Sequence, residues 1–162
     1  MESLFAPWRM EFIERNHAAS TECILCNISG SKNLEETHVL ERGTLAYVVM
    51  NKFPYSNGHL MIVPNRHAGD WTELSIDEGQ EIHRLTQKSL KALHAACRPE
   101  GFNIGVNLGH AAGAGIREHV HQHIVPRWVG DVNFMPLLGE VKVISEHLET
   151  TYQRIRKVWN NG

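Results

Sequence analysis

An α+β domain with an antiparallel sheet is what this sequence predicts, and three observations carry that expectation. Short apolar stretches bounded by turn residues follow one another in meander order. One long amphipathic stretch interrupts them, and a second helical run lies near the C-terminus. With 162 residues, the chain suits a single domain over 1–162. Hydrophobic residues make up 42% and charged residues 21%, as expected of a globular protein.

Residues 7–16 are expected to form a short helix, with Pro7 at its first turn. Cys23 to Asn33 reads as a knuckle and turn. Thr37–Leu40 and Thr44–Met50 read as strands joined at Gly43. The segment from Lys52 to Gly58 is dense in turn residues. His59–Val63 is another strand, ended by Pro64. Ser75 with Glu78 forms the capping-box pattern that opens a helix. Apolar residues then recur at Ile82, Leu85, Leu90, Leu93 and Ala96, and Pro99 bounds the helix. Phe102–Leu108 is a strand, Gly109–Gly115 a small-residue loop, and Ser145–Trp159 a C-terminal helix.

Between the last loop and Arg127 the sequence runs His119-Val120-His121-Gln122-His123-Ile124-Val125. A strand sends successive side chains to opposite faces, so the three histidines would share one face. Imidazole suits nucleophilic, acid–base and metal chemistry near neutral pH. A solvated polar face would also account for one histidine, but less well for three in a row. The preceding loop, from Asn107 to Gly115, contains Gly109, Gly113 and Gly115. Glycines let backbone N–H groups approach an anion, although such a loop is by itself more often only a turn. It lacks the lysine and hydroxyl of a Walker loop and the third glycine of a dinucleotide fingerprint.

Cys23 and Cys26 are spaced as Cys-x-x-Cys, which can grip one face of a zinc ion. Two buried thiols would explain the pair equally well without further ligands. His67 and a member of the histidine row are candidates for those ligands. A redox pair is disfavoured because no strand leads into the motif and no helix clearly starts on it. Three cysteines fit a reducing cytoplasm rather than a disulfide framework.

These residues carry a resemblance. The His119–Val125 stretch is similar to the alternating signature of the histidine triad superfamily, except that Gln122 stands where an apolar residue is usual. Asn107-x-Gly109 and the glycine-rich turn fit as well. Asn51, followed by Gly58-His59, resembles the nucleoside-binding segment of the fragile-histidine-triad branch. Ala6-Pro7-Trp8-Arg9 and the stretch from Pro126 to Phe134 resemble bacterial members acting on diadenosine tetraphosphate as phosphorylases or hydrolases.

The resemblance implies nucleotidyl transfer in which His121 attacks an α-phosphate and forms a covalent intermediate. His123, His59 and the amides of Gly115 and Ile116 would be donors to the phosphoryl oxygens, with Gly113 in the same cradle. Asn51 would hold the ribose and Asn107 would lie near the phosphates. It also implies a structural zinc on Cys23, Cys26, His67 and His119, so His119 has a candidate catalytic role and a candidate metal role. His110 and Arg117 are candidates to hold a phosphate acceptor. Three other readings stay open: a hydrolase of adenylated small molecules, a hydrolase whose histidine strand binds a catalytic zinc, and a non-catalytic nucleotide-binding module.

A nucleotide substrate and a homodimer are expected, with Trp8, Trp128 and Trp159 as candidate partner-facing anchors. A net charge of −2 without a long basic run argues against a nucleic-acid partner. No apolar run approaches the ~20 residues of a membrane span. The start at Met1 lacks the features of a secretory signal, which points to the cytoplasm.

Overall fold

The computed structural model describes residues 23–131 and 146–159. Among these residues five strands form one antiparallel sheet: β1 (Val39–Arg42), β2 (Ala46–Met50), β3 (Leu60–Pro64), β4 (Gly101–Val106) and β5 (Gln122–Arg127). Their spatial order is β1-β2-β3-β5-β4. Three α-helices accompany them: α1 (Ile24–Gly30), α2 (Ile76–Cys97) and α3 (Leu148–Trp159). The α+β class expected from sequence is the class observed. The expected helix over 7–16, Trp8 and the Asn133-Phe134 tail lie outside the described residues.

Strand boundaries differ from the sequence expectation where side chains or turns capture backbone groups. β1 starts two residues late because Thr37 and His38 belong to a turn, their N–H groups donating to Asn33 and Glu35 carbonyls. His38 has φ 55°, which no strand residue adopts. β2 starts at Ala46, which pairs with Pro64, and the amides of Thr44, Leu45 and Ala46 donate to the Glu81 carboxylate. Gly43 makes that turn possible: a β-carbon there would lie 2.8 Å from the Ala46 carbonyl oxygen and closer still to Glu81. The strand expected over 102–108 runs from Gly101 to Val106.

Helix α2 opens with the expected capping box, Ser75 accepting from the Glu78 amide and Glu78 accepting from the Ser75 amide. It buries Ile82, Leu85, Ser89, Ala92 and Leu93 on the sheet. α3 packs beside it, burying Tyr152, Ile155 and Trp159. Together they cover one sheet face, made by Ala46, Val48, Met50, Leu60, Ile62 and Ile124. Apart from Ala46, each such side chain contributes about 1.5–3 kcal/mol on burial. Tyr152 Oη donates to the Val39 carbonyl at 3.0 Å, tying α3 to the edge strand. Trp159, considered as a partner-facing anchor, is instead a core residue whose Nε1 donates to Glu41 at 2.8 Å.

The opposite face carries Tyr47, Val49, Met61 and Val63, and α1 lies over part of it through Leu25. The buried Tyr47 hydroxyl donates to the Leu25 carbonyl at 2.7 Å. This second face holds the histidines. Among the described residues no helix is long and apolar enough to cross a membrane.

Candidate active site and metal centre

The histidine row is only partly a strand. The ladder begins at Gln122, so His119, at the end of a bend, and His121 lie in the approach to β5. Val120 is held there by its N–H donating to the Ala68 carbonyl at 2.7 Å. Gln122 and Ile124 turn to the helix-covered face, where Gln122 Nε2 donates to Thr86 Oγ1 at 2.7 Å. The three histidines stay on the other side but take separate tasks.

His119 is fully buried, and its Nε2–H donates to the Pro64 carbonyl at 2.9 Å. That bond leaves the Nδ1 lone pair facing two sulfurs, Cys23 Sγ at 3.3 Å and Cys26 Sγ at 3.4 Å. Cys26 Sγ lies 3.3 Å from His67 Nδ1. The ligand atoms of Cys23, Cys26, His67 and His119 all lie within 4.8 Å of one another, and these four residues can bind a metal ion. A tetrahedral zinc with bonds of about 2.0–2.3 Å sets its ligand atoms roughly 3.3–3.8 Å apart, and the three sulfur–nitrogen separations of 3.3, 3.3 and 3.4 Å match such edges. The Pro64 carbonyl fixes the His119 ring as a metal-bound imidazole requires. Burial and the neighbouring Cys23 push the Cys26 thiol up, the direction expected where two sulfur groups face each other without a cation to offset their charge. One expectation is corrected here. A helix does start on the Cys-x-x-Cys, with Cys23 at its N-cap and Cys26 in the first turn. Against a redox role stand the two histidine nitrogens that complete the set.

His121 is 5% exposed, and its Nδ1–H donates to the His119 carbonyl at 2.9 Å. The bond fixes the tautomer and leaves the lone pair on Nε2. Burial lowers the pKa of His121, against a smaller opposite pull from the His119 carbonyl and Glu118. The ring is therefore neutral at pH 7, which is the nucleophilic form. Its ring centroid lies 4.8 Å from that of His123.

The tautomer of neutral His123 is set by the residues behind it. His59 is completely buried. Its Nδ1 accepts from the Tyr55 amide at 3.0 Å and from Asn51 Nδ2 at 3.3 Å. The Phe53 amide donates to Asn51 Oδ1, which fixes the orientation of that side-chain amide. With Nδ1 accepting, His59 Nε2–H donates to His123 Nδ1 at 3.0 Å. A neutral His123 then carries its proton on Nε2. His59 thus stands behind His123 rather than beside it. Gly58 allows the approach, with φ +76° and Leu93 3.2 Å from where a β-carbon would sit.

The glycine-rich loop also differs in detail. Gly113, expected in the phosphate cradle, donates its N–H to the His110 carbonyl at 2.9 Å and takes φ +76°. The amides of Gly115 and Ile116 make no backbone bond among the described residues. Asn107 follows β4 directly and is half-buried, while His110 and Arg117 are exposed. Sequence reasoning missed Tyr55. Its ring packs on His59 at 4.7 Å and on His123 at 5.5 Å, and its backbone amide sets the His59 tautomer. Its place between Asn51 and His59 was the available signal.

A five-stranded antiparallel α+β sheet bearing a buried histidine cluster beside a Cys/His metal-binding set defines the class. Residues 32–129 match the HIT domain, and the chain belongs to the HIT domain family. It is 37% identical over 166 residues to an AP-4-A phosphorylase of Mycobacterium tuberculosis, covering 98% of this chain and 85% of that protein. It is 32% identical over 105 residues to an adenosine 5'-monophosphoramidase of Schizosaccharomyces pombe, covering 65% and 74% respectively. Among solved structures, a zinc-bound histidine triad family protein from Mycobacterium smegmatis superimposes with TM-score 0.71 at 21% identity. That match covers 88% of this chain and 96% of the other, and it shares the fold.

Proposed function

We propose that this protein transfers a nucleotidyl group from a dinucleoside polyphosphate through a covalent intermediate on His121. The observation that carries the reading is the buried, neutral His121 with Nδ1–H held by the His119 carbonyl and Nε2 left as the nucleophile. Nε2 attacks the α-phosphorus, a P–N bond forms, and the bridging P–O bond breaks with its electrons leaving on the nucleoside polyphosphate. His123 Nε2–H and the amides of Gly115 and Ile116 donate to the oxygens that gain charge. His59 contributes through His123, holding its tautomer. Asn51, at the end of β2, is assigned to the first ribose, and Asn107 to the phosphate chain.

The acceptor then attacks the same phosphorus from the side the leaving group vacated, and His121 is restored. Phosphate as acceptor converts diadenosine tetraphosphate to adenosine diphosphate and triphosphate. Water gives the monophosphate and triphosphate. Likeness to an AP-4-A phosphorylase over nearly the whole chain favours phosphate. A product assay with and without inorganic phosphate tests this. Turnover is expected to rise with millimolar phosphate, and failure to cleave any diadenosine polyphosphate would overturn the reading. A histidine strand binding catalytic zinc is disfavoured, since His119 Nδ1 faces the thiols and His123 Nδ1 faces His59.

The metal set is assigned a structural zinc held by Cys23, Cys26, His67 and His119. Four protein ligands leave no open position, so the ion would join α1 to the approach of β5. A homodimer is the assembly we infer. Among the described residues β4 has one neighbour in the sheet, and its Asn103, Ile104 and Gly105 are exposed, which leaves an edge open to pairing. Light scattering at micromolar concentration checks it, with a monomer as the contrary result.

A further inference from the structure

His59 reaches His123 from a tight turn, and that turn is tied to a helix outside the site. The His59 N–H closes the turn by donating to the Ser56 carbonyl at 3.2 Å. Gly58 stands at its third position with φ +76°, the conformation that a type II turn needs there. Asn57 stands at the second position and is half-buried. Its side-chain amide meets α3, with Oδ1 3.0 Å from Thr151 Oγ1, across 94 positions of sequence. None of the roles assigned above uses Asn57 or Thr151.

A helical threonine commonly donates to the carbonyl one turn back, as Thr86 does to Ile82 at 2.7 Å. Thr151 is turned to other partners. It is fully buried, and Oγ1 lies 2.6 Å from Glu146 Oε2 as well as 3.0 Å from Asn57. A hydroxyl has one hydrogen, and the shorter contact with a carboxylate takes it. Asn57 then completes the set by donating from its amide nitrogen to Thr151 Oγ1, since the two ends of that amide exchange by a half-turn about its last bond. Glu146 is itself held by an ion pair with Arg154 of α3. The hydroxyl is thus fixed from the helix side, and what it holds is the turn.

Packing supplies the second argument. A β-carbon on Gly58 would lie 3.2 Å from Leu93 and 3.5 Å from Pro126, so the turn cannot move toward α2 or β5. The bond to Thr151 fixes it from α3. The next residue, His59, donates Nε2–H to His123 Nδ1 at 3.0 Å. Such bonds run from about 2.7 to 3.2 Å, so a shift of roughly 0.5 Å in the turn would break this one. A neutral His123 released from it could carry its proton on either nitrogen. In one of the two forms Nε2 would offer a lone pair, not a donor, to the phosphoryl oxygens.

We propose that Thr151 is a positioning residue for the transfer reaction: through Asn57 it holds the turn that seats His59, and so keeps the proton of His123 on Nε2. Its effect on rate rests on the nucleotidyl-transfer reading, whereas the tautomer can be read without turnover. Thr151→Val, close in shape but without the hydroxyl, is the test. With diadenosine tetraphosphate, kcat should fall about 10-fold and KM should hardly change, because a misplaced donor is missed in the transition state. In NMR of protein carrying labelled histidine, the imidazole nitrogen signals of His59 and His123 should move while those of His119 stay. Thr151→Ser should keep the parent's rate and spectrum. Asn57→Ala removes the same bond from the loop side, so the double variant should lose no more than either single one. Thermal unfolding checks that each variant is folded, and if Thr151→Val is not, Asn57→Ala carries the same kinetic and spectroscopic comparison. An unchanged kcat in the folded variants overturns the proposal. So do His59 and His123 signals that stay in place, a Thr151→Ser protein as slow as Thr151→Val, or losses that multiply in the double variant. A parent protein that cleaves no diadenosine polyphosphate overturns the nucleotidyl-transfer reading instead, and the imidazole signals then decide the role of Thr151.

Discussion

On the helix-covered face of the sheet, β5 contributes Ile124, sealed beneath α2 and α3 with no exposed surface. On the other face the same strand contributes His123, placed between His59 and His121. The first face is closed by two amphipathic helices mainly through apolar contact, with a few hydrogen bonds such as Gln122 to Thr86. Among the described residues, the seven-residue α1 lies over part of the second face through its buried Leu25, and polar groups hold the histidines beside it. A buried imidazole is costly unless each nitrogen has a defined partner. Here carbonyls of Pro64 and His119, the Tyr55 amide and the Asn51 side chain supply them. The first face stabilises the fold, and the second uses that stability to hold four imidazoles, His59, His119, His121 and His123, in chosen tautomers.

If this division is right, changes on the two faces should separate rate from stability. The largest effect is expected from His121→Ala. The rate should fall by roughly 10⁴-fold or more, with little change in the unfolding midpoint. Near-normal turnover by the folded variant would break the comparison at its centre.

Cys23→Ser tests whether the polar face needs its metal. Elemental analysis of the parent should find about one zinc per chain, since a closed site uses four ligands. The variant should lose it, together with several kcal/mol of stability, because such sites contribute folding energy. A zinc-free parent with two reactive thiols would refute the assignment.

Ile124→Ala addresses the opposite face one residue from His123. It should cost about 2–5 kcal/mol in denaturant unfolding, from lost burial plus a cavity. Its metal content should match the parent. A loss of zinc in this variant would show that the two faces are not independent.

Smaller again is Gln122→Leu. It removes the bond to Thr86 and should shift stability by about 1 kcal/mol or less in either direction. Turnover should not change, because Gln122 faces the helices. A large loss of activity would place Gln122 in the site.

The smallest effect is a pH dependence on the helix side. Burial pushes the Glu41 carboxyl up, but donation from Lys88 and Trp159 more than offsets this, and its pKa is lowered. A lowered folded-state value stabilises above the unfolded value and is lost as pH falls through the folded one. Stability should therefore decline as pH drops below the ordinary glutamate range, and Lys88→Met should flatten that decline.

The sequence by itself determined the α+β class, the long capped helix, the His-x-His-x-His row and the Cys-x-x-Cys. These depend on local periodicity, caps and spacing, which a chain writes into neighbouring residues. It also placed Gln122 off the histidine face, because a period of two needs no tertiary information. Only the tertiary structure decided the rest. That β5 lies between β3 and β4 brings His59 against His123, 64 residues apart in sequence. The separation of His119 from His121 depends on a carbonyl at Pro64 and sulfurs at Cys23 and Cys26, none of them near in the chain. Trp159 was ambiguous from sequence because an apolar helix face can bury itself or a partner, and contact with Glu41 and α2 resolved it. Tyr55 gained its place from loop closure over two buried imidazoles. Which nitrogen of each histidine carries the proton is a property of hydrogen-bond partners. Those partners exist only after the sheet has brought distant backbone groups together.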